Sequence, residues 1–132
     1  MLDRFPVSAV LPVRDAERAR RFYRDVLGLV ATDEDDADVL TFRAGDGTLI
    51  VLAELPDREP QPHPVVSFAV RGIDALVPAL KERGATFVPL SAAGTYAEGR
   101  GPRTPDVANF GLVKTAFLRD SEGNVLALNQ VG

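Results

Sequence analysis

Few side chains in this chain could carry out chemistry. There is one histidine, His63, and no cysteine, which excludes disulfides, thiolate catalysis and zinc–sulfur sites. His63 lies in a proline-rich segment, and a general base needs both an orienting partner and a substrate within hydrogen-bond reach. We therefore expect His63 to be an exposed linker residue. No Ser–His–Asp set, phosphate-binding loop or dinucleotide fingerprint can be assembled from the sequence.

The charges of the chain are mostly acidic. The run DEDDAD at residues 33–38 lacks the glycine and the terminal glutamate of an EF-hand loop, so a solvated loop is expected there rather than a calcium site. A net charge of −4 and a pI near 4.9 argue against nucleic acid as a partner, because the phosphate backbone requires a basic surface. No signal sequence or membrane-spanning apolar run is present, so we expect a cytoplasmic protein.

Residues 7–29 organise the chain. Their first part alternates with the period of two that is typical of a strand, and Asp15 follows as a helix cap. The helix is indicated by apolar residues at steps of three and four, namely Ala16, Ala19, Phe22, Tyr23, Val26 and Leu27. We expect this helix to end at Gly28, which tolerates a positive φ angle.

The same strand–helix unit occurs a second time. A shift of 57 residues places Val13-Arg14 on Val70-Arg71 and Ser8 on Val65, and a duplication of this kind fixes the architecture. The sequence thus predicts an α+β protein with the element order βαβββ twice. We predict one domain made of a first module, 1–55, a linker, 56–63, and a second module, 64–132.

Turn chemistry and one proline refine these elements. Asp46-Gly47 indicates a hairpin, and Asp120 is expected to accept backbone N–H groups in a turn where Gly123 is left-handed. The second helix is predicted near residues 73–83 and contains Pro78, which costs about 3 kcal/mol or more in a helix interior. We therefore expect that helix to start late, at Asp74, or to kink. Further strands are predicted at residues 30–32, 39–43, 48–55, 65–70, 85–89, 112–119 and 124–130.

Two groups of motifs resemble a known family. They are LPVRD at 11–15 with RFY at 21–23 and VLGL at 26–29, and NFG at 109–111 with FLRDSEGN at 117–124. The chain resembles the vicinal oxygen chelate superfamily, which includes glyoxalase I, extradiol dioxygenases and bleomycin-resistance proteins. The resemblance covers most of the chain and implies that each βαβββ module forms a curved mixed sheet around a central cup.

The resemblance also implies where a metal would bind. Metal enzymes of the superfamily carry His, Gln or Glu at four strand positions, which fall here on Ser8, Val51, Val65 and Ala127. A neutral hydroxyl is a poor ligand for a divalent ion, and Val and Ala have no donor atom. We therefore predict a protein with no metal, no cofactor and no catalytic residue.

Strand alternation predicts which residues line the cup. The predicted ligand-binding set is Ser8, Val10, Leu49, Val51, Val65, Ser67, Phe110, Ala127 and Asn129, with Val125 also facing inward. Phe110 is expected at the rim, Phe68 on the helix side, and Tyr96 and Arg103 either in a lid or in a surface loop. This lining is apolar with a few polar groups, as in small-molecule pockets, although the same residues could instead fill a core.

Three functions remain open at this point. The first is a homodimeric binding protein for an apolar, aromatic or cationic small molecule such as an antibiotic, as in the bleomycin-resistance branch. The second is a lyase, isomerase or dioxygenase with a displaced or absent metal, in which Glu54, Lys114, Arg119 and Asn129 approach the substrate. The third is a structural or regulatory domain with a filled cup.

Overall fold

The computed structural model describes residues 1–32, 40–88 and 106–132. It contains two compact units, residues 1–59 and 60–132, each with its own sheet. The α+β class predicted from the sequence is confirmed. The acidic run at 33–38 and the predicted lid residues Tyr96 and Arg103 lie outside the described residues.

The first unit is a four-stranded sheet with one helix. Its elements are β1 (Ser8–Val13), α1 (Ala16–Arg21), β2 (Val30–Ala31), β3 (Thr41–Arg43) and β4 (Leu49–Glu54). The strand order is β1-β4-β3-β2, in which β1 is parallel to β4 and the other pairs are antiparallel. This is the predicted βαβββ order.

The core of the first unit lies on one face of this sheet. Leu11 and Val13 are each 1% exposed, whereas Val10, which precedes Leu11 and lies on the other face, is 64% exposed. Tyr23, from the helical region, is fully buried with its ring centroid 6.0 Å from that of Phe42 on β3. The period of two in β1 therefore separates a buried face from an open one.

The first helix differs from the prediction in the geometry of its last turn. As predicted, Asp15 caps it, and its Oδ1 accepts the Arg18 N–H at 3.0 Å. The α-helix ends at Arg21, however, and residues 22–26 form a π-helical turn in which the Leu27 N–H donates to Phe22 O. Regular α-helical geometry through Leu27 was thus wrong, but the helical region ends as predicted at Gly28, which has φ 72°. The wider turn still buries Tyr23 completely, as tertiary packing often overrides local regularity.

The second unit repeats the order with one extra short strand. Its elements are β5 (Pro64–Ala69), α2 (Ile73–Glu82), β6 (Thr86–Phe87), β7 (Ala108–Asn109), β8 (Val113–Arg119) and β9 (Val125–Val131). The order is β5-β9-β8-β6, with β7 also paired to β8. The two-residue strand β7 was not predicted, because it is too short to show periodicity.

The second helix spans Ile73–Glu82, close to the predicted residues 73–83. Pro78 lies inside it, and the later start at Asp74, which would have lowered the cost of this proline, was wrong by one residue. The physical reason is tertiary: Gln130 Oε1, on β9, accepts the N–H of Ile73 at 2.8 Å and holds the first turn. The predicted turns are confirmed, with Asp46 and Gly47 at φ 56° and 73°.

The β8–β9 turn also forms as predicted. Asp120 Oδ1 accepts the N–H groups of Glu122 and Asn124, each at 2.8 Å, and Gly123 has φ 88°. Its buried polar groups thus satisfy one another within the turn. The structure gives this turn a structural role.

Candidate functional site: a cavity on the second sheet

The second unit contains a cavity of about 280 Å³ on its sheet, which we name the second-sheet cavity. Strands β5, β9 and β8 form its wall, and their pairing registers place Ser67, Ala127 and Phe117 side by side. The alternate residues of β9, Leu126 and Leu128, lie on the opposite face and are buried. The residues that line it are Pro64, Val65, Val66, Ser67, Thr115, Phe117, Ala127 and Asn129.

Three polar side chains form a hydrogen-bonded row across these strands, which we name the polar row. The Thr115 hydroxyl donates to Asn129 Oδ1 at 2.7 Å. Asn129 Nδ2 in turn donates to Ser67 Oγ. The row runs from Thr115, which is buried, through half-buried Asn129 to exposed Ser67.

The remaining surface of the cavity is apolar. Phe117 is 1% exposed and Ala127 is 4% exposed, and both belong to a buried cluster with Val88, Ala108 and Val125. Val125, expected inward from alternation, is fully buried in this cluster rather than among the lining residues. The apolar part of the cavity lining is therefore continuous with this buried cluster.

None of the described lining residues is ionisable. Lys114 neighbours Thr115 on β8, but alternation turns it to the other face, where its Nζ lies 2.6 Å from Asp74 Oδ2 on α2. The site can therefore contact apolar groups of a ligand and form hydrogen bonds with it through uncharged side chains. It offers an uncharged molecule a compatible surface and offers an ion no compensating charge.

Four of the predicted site residues come together here. They are Val65, Ser67, Ala127 and Asn129. Pro64, Val66, Thr115 and Phe117 were missed as lining residues. A signal for Thr115 and Phe117 existed in the alternation along β8, but only the register of β8 against β9 shows that Thr115 faces Asn129.

The other predicted positions lie elsewhere. Ser8, Val10, Leu49 and Val51 share the open face of the first sheet, where Ser8 pairs with Leu49 and Val10 with Val51. Phe110 is 39% exposed and is not among the lining residues of the second-sheet cavity; its place at a rim stays a prediction. His63 is exposed, with Nδ1 3.1 Å from Pro64 O.

The residues of this site do not fit the metal of the superfamily's enzymes. Val65 and Ala127, at two of the four ligand positions, contribute only carbon to the cavity, and its other polar groups are neutral hydroxyls and an amide. Across residues 1–32, 40–88 and 106–132, no three His, Cys, Asp or Glu side chains form a group that could hold a metal ion. We therefore derive no chemistry through a metal.

The side chains considered for catalysis have structural partners. Glu54 Oε2 accepts the N–H of Ala16, the first residue of α1, at 2.8 Å. Arg119 Nη1 donates to Gly123 O at 3.1 Å. With Lys114 paired to Asp74, only Asn129 of the four candidates lines the cavity.

Comparison with known proteins agrees with this architecture. The model of the Glyoxalase/Bleomycin resistance protein/Dioxygenase superfamily matches residues 6–128. The chain belongs to this superfamily. No curated protein sequence matches it. Among the described residues, neither helix is long and apolar enough to cross a membrane.

Solved structures share the fold at low sequence identity. A superfamily member from Sphaerobacter thermophilus DSM 20745 is similar with a TM-score of 0.68 and 24% identity, covering 98% of this chain and 99% of its own. TnmS3, an antibiotic binding protein from Streptomyces sp. CB03234, has a TM-score of 0.67 and 23% identity over 100% and 99%. A glyoxalase / bleomycin resistance protein from Catenulispora acidiphila DSM 44928 has a TM-score of 0.64 and 20% identity, covering 96% of this chain and 98% of its own.

Proposed function

We propose that this protein binds a small, uncharged, mainly apolar or aromatic molecule in the second-sheet cavity, without a metal and without catalysis. The observation that carries the proposal is the lining: five of the eight residues are apolar and three are neutral polar groups. Small-molecule sites combine an apolar surface with a few placed polar groups in this way. The volume suits a compact ligand, since such sites usually measure about 300–1,000 Å³.

Relatives and electrostatics support a binding role. TnmS3 is described as an antibiotic binding protein, so an antibiotic is included in the proposed ligand class. The sequence left a cationic ligand open, but no carboxylate occurs among the described lining residues. Burying a cation there would be costly without a paired charge, and we therefore propose a neutral ligand.

The contacts of the candidate catalytic residues also favour binding over catalysis. Glu54, Lys114 and Arg119 each hold a helix, an ion pair or a turn. General acid–base catalysis requires a titratable group within hydrogen-bond reach of the substrate. We therefore assign none of these three a catalytic role.

A thermal-shift screen tests the proposal. Neutral two- and three-ring aromatic compounds are screened for those that raise the melting temperature, since a ligand at 100 times its Kd adds about 2.7 kcal/mol to the free energy of unfolding. We expect the shift to disappear in Val65→Phe, which places a ring in the cavity. It should persist in Val131→Phe, a matched change at a position 78% exposed and outside the lining.

Two results would contradict the proposal. One is a library in which no compound stabilises the wild-type protein, which would favour a structural domain. The other is a shift of the same size in Val65→Phe, which would place the bound compound elsewhere.

A further inference from the structure

We infer that the bound molecule presents a neutral hydrogen-bond acceptor, such as a ketone or amide carbonyl oxygen, to the hydroxyl of Ser67. This inference rests on the proposed function and specifies the chemical class of its ligand. It follows from the direction of the hydrogen bonds along the polar row.

The orientation of the Asn129 amide gives that direction. Thr115, 8% exposed, donates its only hydroxyl proton to Asn129 Oδ1 at 2.7 Å. This bond orients the amide, so that Nδ2 points to Ser67 and donates to its oxygen. A primary amide has donors on one side and acceptors on the other, so fixing one side fixes the other.

Ser67, at the exposed end, is left with a proton to give. Its oxygen has already accepted the bond from Asn129, and a hydroxyl carries a single O–H donor. Accepting one hydrogen bond also strengthens the donor power of the same group. In the empty cavity that proton can be given to water, because Ser67 is exposed.

A bound ligand removes this water and must replace it. A carbonyl oxygen accepts the Ser67 proton and completes the row. A ligand that can only donate uses the remaining lone pair of Ser67 and leaves the hydroxyl proton without a partner, which costs about 1–3 kcal/mol. An alkyl group leaves it unpaired as well. The cavity is therefore expected to prefer ligands that carry a hydrogen-bond acceptor.

The chosen probes separate the hydrogen bond from apolar burial. They are 2-acetylnaphthalene, which carries a ketone, and 2-isopropylnaphthalene, which has a similar shape and no acceptor. The absolute affinities of the two probes also differ because removing each probe from water costs a different free energy. The informative quantity is therefore the change in Kd that a substitution causes for each probe, as in a double-mutant cycle.

The central variant is Ser67→Ala. We expect it to weaken binding of the ketone by about five- to tenfold, the range of one neutral hydrogen bond. Binding of the hydrocarbon should tighten by about fivefold, because the hydroxyl proton that the hydrocarbon leaves unpaired is removed. Thr86→Ala is the matched control, since it removes an exposed hydroxyl from β6 of the same sheet, outside the cavity lining. It should change neither affinity.

A second variant tests the direction of the row. Thr115→Val removes the donor that orients the Asn129 amide, so the amide can rotate and accept the Ser67 proton itself. The ketone should then bind more weakly, although Thr115 is separated from Ser67 by Asn129. Adding Ser67→Ala to this variant should cause little further loss.

Amide NMR locates the probes. The sequence has three Asn and two Gln, so the side-chain NH₂ spectrum contains five pairs, and Asn129→Leu identifies the pair of Asn129. Both probes are expected to shift this pair in the wild-type protein. The proposed function fails, and the inference with it, if neither probe shifts it.

The inference alone is overturned in a different way. If both probes shift the Asn129 pair but Ser67→Ala changes the two affinities equally, or changes neither, then the cavity binds apolar molecules without selecting an acceptor. A ketone affinity that is unchanged in Thr115→Val would likewise overturn the proposed direction of the row.

Discussion

Gln130 Oε1 accepts the backbone N–H of Ile73 at 2.8 Å and thereby joins the end of β9 to the first turn of α2. The preceding residue of β9, Asn129, points to the opposite face and forms the centre of the polar row. Successive residues of a strand alternate between faces. One strand thus fixes both the start of the helix and the polar group of the cavity.

Replacing Gln130 should destabilise the start of α2. In Gln130→Leu the Ile73 N–H loses its acceptor, which is worth about 1 kcal/mol of the free energy of unfolding. Gln130→Glu keeps an oxygen there and adds a negative charge near a helix N-terminus, which is favourable. Urea unfolding of both variants should show a loss only in Gln130→Leu. Equal stability of the two variants would contradict the assigned cap.

Replacing Pro78 should stabilise the protein. Pro78 is exposed inside α2 and has no N–H to donate to the carbonyl of Asp74, four residues earlier. Pro78→Ala should raise the free energy of unfolding by about 2 kcal/mol, because a helical gain of about 3 kcal/mol is offset by up to about 1 kcal/mol from a more flexible unfolded chain. The measurement is chemical denaturation.

The matched control for Pro78 is Pro56→Ala. Pro56 is exposed and lies after β4, outside any helix. There only the unfolded chain changes, so the same substitution should lower stability by up to about 1 kcal/mol. Effects of the same sign at both positions would show that the helical hydrogen bond contributes little.

Replacing Gly123 should be more costly than replacing Gly111. Both have strongly positive φ angles, 88° and 91°. A residue with a side chain would be strained by about 1–3 kcal/mol in that conformation. A Cβ at Gly123 would also lie 2.9 Å from Pro60 Cγ, whereas one at Gly111 has open space. The midpoint of urea unfolding should therefore fall further for Gly123→Ala than for Gly111→Ala. Equal losses would mean that Pro60 moves aside without cost.

Removal of metal ions should leave the protein unchanged. Val65 and Ala127 occupy two ligand positions with no donor atom, and the polar groups beside them are neutral. We expect dialysed protein to contain less than one equivalent of Mn, Fe, Ni or Zn by mass spectrometry, and its melting temperature to be the same with and without EDTA. Stoichiometric metal, or a fall in melting temperature with EDTA, would contradict a metal-independent function.

The sequence by itself determined the elements and their repetition. A period of two in residues 7–13, a cap at Asp15 and the Asp-Gly turn at Asp46 are local signals, because they depend on backbone geometry and on hydrogen bonds between near neighbours. The shift of 57 residues extended them to the second unit. Strand alternation in the sequence also named four of the eight residues that line the cavity.

Tertiary structure alone decided the rest. The π-helical turn that holds Tyr23, the start of α2 at Ile73 and the pairing of Thr115 with Asn129 depend on residues distant in sequence. Register between strands sets which side chains meet, and a shift of one residue would turn each to the other face. Alternation along one strand therefore names the residues of a face, and only the packed sheet shows that three of them form one hydrogen-bonded row.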